Sequence, residues 1–195
     1  DKTKILVRSY GRDSAREYEI PAGRFRQASD EGNRALSSVV HAYLESSRGG
    51  TMLELFSGYG NFTFALAEDM SRIDAWEADK RAVETGNSLA KSLGFENVEF
   101  FAGDLEKHTF SPDAAWDVVL LDPPRAGARA VCTQLATQRQ TRTIVYVSCD
   151  PGSLARDLGI LCEGGWDIER LSFVDLFPRT SHLETVVLLR AATSP

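Results

Sequence analysis

The chain has 195 residues, of which 43% are hydrophobic and 26% charged, which suits one globular domain with at most a small appendage. A formal net charge of −6 excludes a broadly basic, polyanion-binding surface, so any nucleic-acid contact has to come from local clusters of arginine. Three cysteines without framework spacing exclude a disulfide scaffold and point to a reducing, cytoplasmic setting. No Cys-x-x-Cys pair and no apolar run of membrane-span length is present, and no signal peptide is expected.

In chain order, Ile5-Leu6-Val7 and Tyr18-Glu19-Ile20 read as short strands around the turn Tyr10–Asp13, and Pro21-Ala22-Gly23 breaks the pattern. Residues 1–24 are therefore expected to form a β appendage, and 25–195 the main domain. Because it opens on Asp1 rather than Met, the chain is expected to be a fragment of something longer. Leu36, Val39, Val40, Tyr43 and Leu44 keep helical spacing in a helix from about Asp30 to Ser46. From Thr51 onward strands and helices alternate. Strands fit Met52–Phe56, Ile73–Glu77, Val98–Phe101, Val118–Leu121, Thr143–Val147, Ile168–Leu176 and Leu183–Leu189. Helices fit Asn61–Asp69, Lys80–Leu93, Ala128–Arg139 and Pro151–Glu163. This alternation predicts an α/β fold with a seven-stranded, mostly parallel sheet. The loop Phe177–His182 is too short for a crossover, so the last strand should insert antiparallel.

Four stretches carry chemistry. In Phe56-Ser57-Gly58-Tyr59-Gly60-Asn61, alternate glycines let a ligand approach the backbone at a strand-to-helix turn, although the full Gly-x-Gly-x-x-Gly pattern is absent. Glu77 follows Gly58 by 19 residues, near the ~20 expected of a ribose-binding carboxylate; the alternative is a helix N-terminal acid. Asp104 either hydrogen-bonds an adenine amino group or caps the segment after it. Asp122-Pro123-Pro124-Arg125-Ala126-Gly127 makes a rigid turn, with Asp122 and Arg125 at the same sheet edge as Gly58; Arg125 suits a phosphate or carbonyl oxygen, or is simply a surface arginine. Cys149 ends a strand built to be buried on both faces, just before a helix that Asp150 caps and Pro151 opens. That helix N-terminus should favour the thiolate, while the bland reading is a structural cysteine. In His182-Leu183-Glu184 the acid borders an apolar strand, and its burial there would raise its pKa toward that of a general base; a solvated strand end is the alternative.

Together with Phe177-Pro178-Arg179-Thr180-Ser181-His182-Leu183-Glu184, these stretches, taken in order from about Phe25 to Leu189, resemble the RNA uracil-5 (m5U) methyltransferase family. The resemblance implies a Rossmann-like methyltransferase fold that uses S-adenosyl-L-methionine (AdoMet). It implies a methyl transferred to C5 of a uridine in tRNA or rRNA, with Cys149 as the nucleophile on C6 and Glu184 as the base that removes the C5 proton. Gln27, Phe56, Asn61, Glu77, Asp104 and Asp122 fall at positions resembling the family's donor site, with Gly58 and Gly60 in the glycine turn. Asp122 and Arg125 are the expected substrate contacts, Arg125 stabilising the enolate oxygen that forms when a thiolate adds to the ring.

The chain departs from the family pattern at Ser57, where many members have Cys, and at Ser29 of Phe25-x-Gln27-x-Ser29, where many have Asn. Residues 1–24 are expected to be too short for the RNA-binding β-barrel of many members, and the cysteines lack the spacing for an iron–sulfur cluster. The expectation is a monomer acting on RNA, with no metal, no cluster and no membrane. Its RNA affinity should be weak and rest on Arg26, Arg125, Arg129 and Arg179. Two other functions fit less well. One is an AdoMet-dependent methyltransferase acting on another nucleic-acid or protein atom, for which Cys149 would be dispensable. The other is a non-catalytic AdoMet-binding module.

Overall fold

The computed structural model describes residues 3–24, 27, 29–110, 115–138, 140–176 and 183–192. A hairpin comes first. Strands β1 (Lys4–Tyr10) and β2 (Ala15–Pro21) pair antiparallel in a two-stranded sheet of their own. The second strand runs through Pro21 rather than stopping before it, because Pro21 pairs with Lys4 at the sheet's end, where a missing N–H is tolerated. Tyr18 and Ile20 are buried in the main core, so the hairpin is fastened to the rest by apolar packing.

Helix α1 (Asp30–Leu44) begins at Ser29, whose hydroxyl accepts the Gly32 N–H at 3.0 Å, and it tightens into a 3-10 turn at Glu45–Ser47. The alternating part follows as β3 (Thr51–Leu55), α2 (Asn61–Leu66), β4 (Arg72–Glu77), α3 (Lys80–Leu93), β5 (Val98–Ala102) and β6 (Val118–Leu121). It continues with α4 (Arg129–Leu135), β7 (Thr143–Ser148), α5 (Pro151–Glu163), β8 (Trp166–Val174) and β9 (Glu184–Ala191). Helix α4 is shorter than its sequence pattern predicts. A Cβ on Gly164, at the end of α5, would come within 2.5 Å of Ala136, so the chain leaves the helix where the two meet. The predicted cap of α5 is present, with the Asp150 carboxylate accepting the Ser153 N–H at 2.7 Å and Pro151 in the first turn.

The main sheet has seven strands in the order β5-β4-β3-β6-β7-β9-β8. All neighbours are parallel except that β9 runs antiparallel to both β7 and β8, inserted between them as the short preceding loop requires. Alternate residues of the central strands feed two cores. Met52, Ile73, Val118, Leu120, Val145, Val147, Val186 and Leu188 pack with α1, α2, α3 and the hairpin. Leu53, Leu55, Val119, Leu121, Ile144, Tyr146, Val187 and Leu189 pack with α4 and α5. Burial on both faces explains why these strands read as continuous apolar runs. Among the described residues, no helix is long and apolar enough to cross a membrane.

Candidate active site

Side chains alternate along a strand, so counting by twos from a core residue stays on one face. On the α1–α3 face this count runs Ile73, Ala75, Glu77 in β4; Met52, Glu54 in β3; and Val118, Leu120, Asp122 leaving β6. It runs Val145, Val147, Cys149 leaving β7, and Leu188, Val186, Glu184 at the start of β9. These five strands are consecutive in the sheet. The sheet therefore brings four carboxylates and a thiol into one stepped row near the carboxyl edge of its parallel strands, where α/β sheets bind ligands, with Glu54, opposite Ala75 and Leu120, one step inside Glu77 and Asp122. Ser148 pairs with Thr185, and the same antiparallel register carried one residue further sets Cys149 opposite Glu184.

The row has a distinct electrostatic character. Burial raises the Glu184 carboxyl above its ordinary range. Burial, reinforced by the charge of Glu184, pushes Asp122 up to about 8. Glu54 is 1% exposed and its Oε2 accepts the Thr63 hydroxyl at 2.6 Å. Burial pushes it too up to about 8, against that hydrogen bond and with help from the charges of Asp122 and Glu77. Cys149 departs from expectation. Its thiol is raised, first by burial and then by Glu184 and Asp122, while Arg125 pulls the other way. Desolvation and two neighbouring carboxylates outweigh the N-terminus of α5, so the helix does not by itself yield a thiolate.

At the other end of the row lies the glycine turn. Phe56 has φ 65°, the one positive φ outside glycine among the described residues, a strain of the kind that collects at functional sites. Gly58 (φ 56°) and Gly60 (φ 89°) share that region for different reasons. A Cβ on Gly60 would strike the Phe64 ring at 2.5 Å, whereas one on Gly58 would meet nothing within 4 Å, leaving its backbone open to a ligand. Glu77 closes the turn. Its Oε2 accepts the Gly58 N–H at 3.0 Å, and its Oε1 accepts those of Ala78 and Asp79 at 2.7 and 2.9 Å.

The remaining predicted residues are less central. Asp104 is exposed and caps its own turn, accepting the Glu106 N–H at 3.2 Å and pairing with Lys107 at 2.9 Å; these contacts hold its carboxyl below the usual range. The Asn61 amide exchanges two hydrogen bonds with Asn33 of α1, at 2.7 and 3.0 Å. Gln27 is half-buried just before α1. Arg125 is exposed on the turn after β6. Arg26, Arg179 and His182 lie outside the described residues. Two residues that touch these candidates carry no assignment from the sequence pattern, Glu54 through its place in the row and Asn33 through Asn61. Glu54 had a signal, a charged residue inside the apolar run Met52–Phe56. Asn33 had none, since a neutral amide on a helix face fits solvent equally well.

The arrangement fits a cationic donor with a ribose diol. A sulfonium would help the raised carboxyls of the row to ionise and so be matched by them, Gly58 leaves backbone room, and the Glu77 carboxylate sits beside that glycine with lone pairs for hydroxyl donors.

The family model for tRNA (uracil-5-)-methyltransferase matches residues 10–192. A Chromohalobacter salexigens protein named 23S rRNA (uracil(1939)-C(5))-methyltransferase RlmD is 41% identical over 172 residues, covering 88% of this chain and 36% of the relative. A Clostridium tetani protein named as an uncharacterized RNA methyltransferase is 35% identical over 196 residues, covering 97% and 42%. The chain thus spans about two fifths of the length of the curated relatives it matches. Among solved structures, Pyrococcus abyssi tRNA (uracil-54, C5)-methyltransferase, in complex with S-adenosyl-L-homocysteine, superimposes with a TM-score of 0.79 at 26% identity, covering 94% of this chain and 44% of that one. The N-methyltransferase NodS of Bradyrhizobium japonicum, at 14% identity and a TM-score of 0.70 over 85% of this chain and 99% of its own, shares the fold alone.

Proposed function

Because the chain belongs to the tRNA (uracil-5-)-methyltransferase family, we propose that it methylates C5 of a uridine in tRNA or rRNA through a covalent Cys149–C6 adduct. The observation that carries this reading is the convergence of Cys149, Glu184 and Asp122 at one end of the acidic row, with Arg125 acting on the same thiol. AdoMet, when bound, supplies an electrophilic methyl group on a sulfonium. Glu77 would hold its ribose, Gly58 would let it approach the turn, and Glu54 and Asp122 would face its positive charge. We assign Gln27, Phe56, Gly60 and Asn61 to the same donor site. Asp104, spent on its own turn, offers only its remaining lone pairs.

The chain's own residues then divide the work. C5 of uracil is a poor nucleophile, and a Cys149 thiolate bonded to C6 converts the ring to an enolate with electron density at C5. Arg125 donates to the enolate oxygen and stabilises the charge there. Glu184, raised by burial, takes the C5 proton once C5 is methylated, so that the ring's C6–S bond can break and the thiolate leaves. RNA is the partner. Arg125 and Arg129 are the described arginines proposed to touch it, with Arg26 and Arg179 from outside the described residues.

The two catalytic variants must fail in different ways. Cys149→Ala should neither methylate nor cross-link RNA. Glu184→Gln should add and accept the methyl but not eliminate, and so should accumulate a methylated protein–RNA complex that survives denaturing gels. Methylation by Cys149→Ala, read by mass mapping of bulk tRNA and rRNA, would end the mechanism and favour chemistry at another atom.

A further inference from the structure

The proposed reaction asks Arg125 to meet a substrate oxygen, although it is exposed on a loop. A free arginine there would lose side-chain and backbone entropy on each encounter. The loop is not free. Pro124–Gly127 closes as a turn, with the Gly127 N–H donating to the Pro124 carbonyl at 2.8 Å. Arg125 is the first of its two central residues.

From outside, two consecutive residues of α5 grip this turn. Arg156 Nη2 donates to the Ala126 carbonyl at 2.9 Å. The same guanidinium holds Asp157 Oδ1 through Nε and Nη2, at 2.9 and 2.7 Å. Asp157 is 0% exposed, and its Oδ2 accepts the Ala128 N–H at 2.6 Å and the Tyr146 hydroxyl at 2.7 Å. Gly127, at φ 80°, is pressed into the grip, for a Cβ there would come within 2.5 Å of both Arg156 Nη2 and Asp157 Oδ2. A buried carboxylate with both oxygens filled by charged and neutral donors is rigid, and it is costly to leave half-paired. The helix that bears the clamp starts two residues after Cys149, at Pro151. The network therefore joins the loop that carries Asp122 and Arg125 to the helix that follows the thiol.

We infer that Arg156 and Asp157 are positioning residues for the uridine-C5 methylation proposed above, clamping the Pro124–Gly127 turn on α5 so that Arg125 is presented beside Cys149. The inference rests on that functional reading. A clamp that merely supported the fold would not act through Arg125.

The test is a double-mutant cycle between Arg156→Met and Arg125→Gln, measured as transfer of radiolabelled methyl from AdoMet to bulk tRNA and rRNA, with AdoMet affinity measured by calorimetry. Arg156→Met should lower kcat by about 10- to 100-fold, the scale of a misplaced catalytic contact, and leave AdoMet affinity unchanged. The double variant should be no slower than Arg125→Gln alone. Arg156→Lys guards against misfolding. It keeps a cation beside Asp157, but its ammonium lacks the fork that spans Asp157 and the Ala126 carbonyl, so it too should be silent once Arg125 is gone. Losses that multiply in the double variants, or a loss of AdoMet affinity in step with kcat, would overturn the inference while methylation by the unaltered protein leaves the functional reading intact. Absence of methylation by the unaltered protein would overturn both.

Discussion

A thiol flanked by Glu184 and Asp122 holds its proton more tightly than a free cysteine, whereas the proposed addition needs a thiolate. The same carboxylates that oppose ionisation would draw in a sulfonium, and a cation in the row favours every anion beside it. Cys149 should therefore titrate at lower pH when a cationic donor analogue is bound. Thiolate absorbance near 240 nm, taken as the difference between the unaltered protein and Cys149→Ser, gives this titration. Sinefungin, which carries a second ammonium close to where the donor's sulfonium would lie, should lower the Cys149 pKa more than S-adenosylhomocysteine, whose sulfur is neutral. Equal effects of the two ligands would mean that the donor's charge has no part in activating the thiol.

Among the elements, the glycine turn separates folding from binding. Ala at Gly60 meets both a positive φ and the Phe64 ring, and should cost at least about 1–3 kcal/mol in urea unfolding. Ala at Gly58 meets the φ penalty alone, about 1–2 kcal/mol, but narrows the approach to Glu77, so its larger effect should be on AdoMet affinity. Similar stability losses with unchanged affinity at Gly58 would remove the open backbone from the site. The turn was legible because glycine spacing, the strand before it and the acid 19 residues on all follow from local rules. Helix α3 was legible to its ends for the same reason, with Asp79 capping it and Gly94 closing it. What stayed hidden depended on tertiary partners. The Asn33–Asn61 exchange joins two helices, the end of α4 is set by its meeting with α5, and the raised Cys149 comes first from its burial and then from Glu184 and Asp122 on neighbouring strand ends, which no local rule about helix termini includes. The Arg156–Asp157 clamp was invisible too, because an Arg-Asp pair on a helix reads as an ordinary solvated face.

For the whole molecule, the acidic row has a price in stability that depends on pH. Glu54 and Asp122 titrate near 8 in the folded state, against about 4 for unfolded carboxyls, so between those limits the folded chain binds protons the unfolded chain does not. Their contribution is fully present below about pH 4 and is lost as pH rises through about 8. Without ligand, the melting temperature should fall between about pH 6 and pH 9, and should fall less in Glu54→Gln, which has no proton to lose. Identical slopes in the two proteins would show that Glu54 is charged throughout. The most direct test of the proposed chemistry is covalent trapping. RNA containing 5-fluorouracil, with AdoMet present, presents fluorine where Glu184 should find a proton, so the reaction should stop at the methylated adduct. The account predicts a protein–RNA complex stable on denaturing gels, whose digested peptide carries the nucleotide on Cys149 and not on the buried Cys132 or the exposed Cys162. Active methylation of ordinary RNA with no such complex, or a nucleotide mapped to another residue, would contradict it.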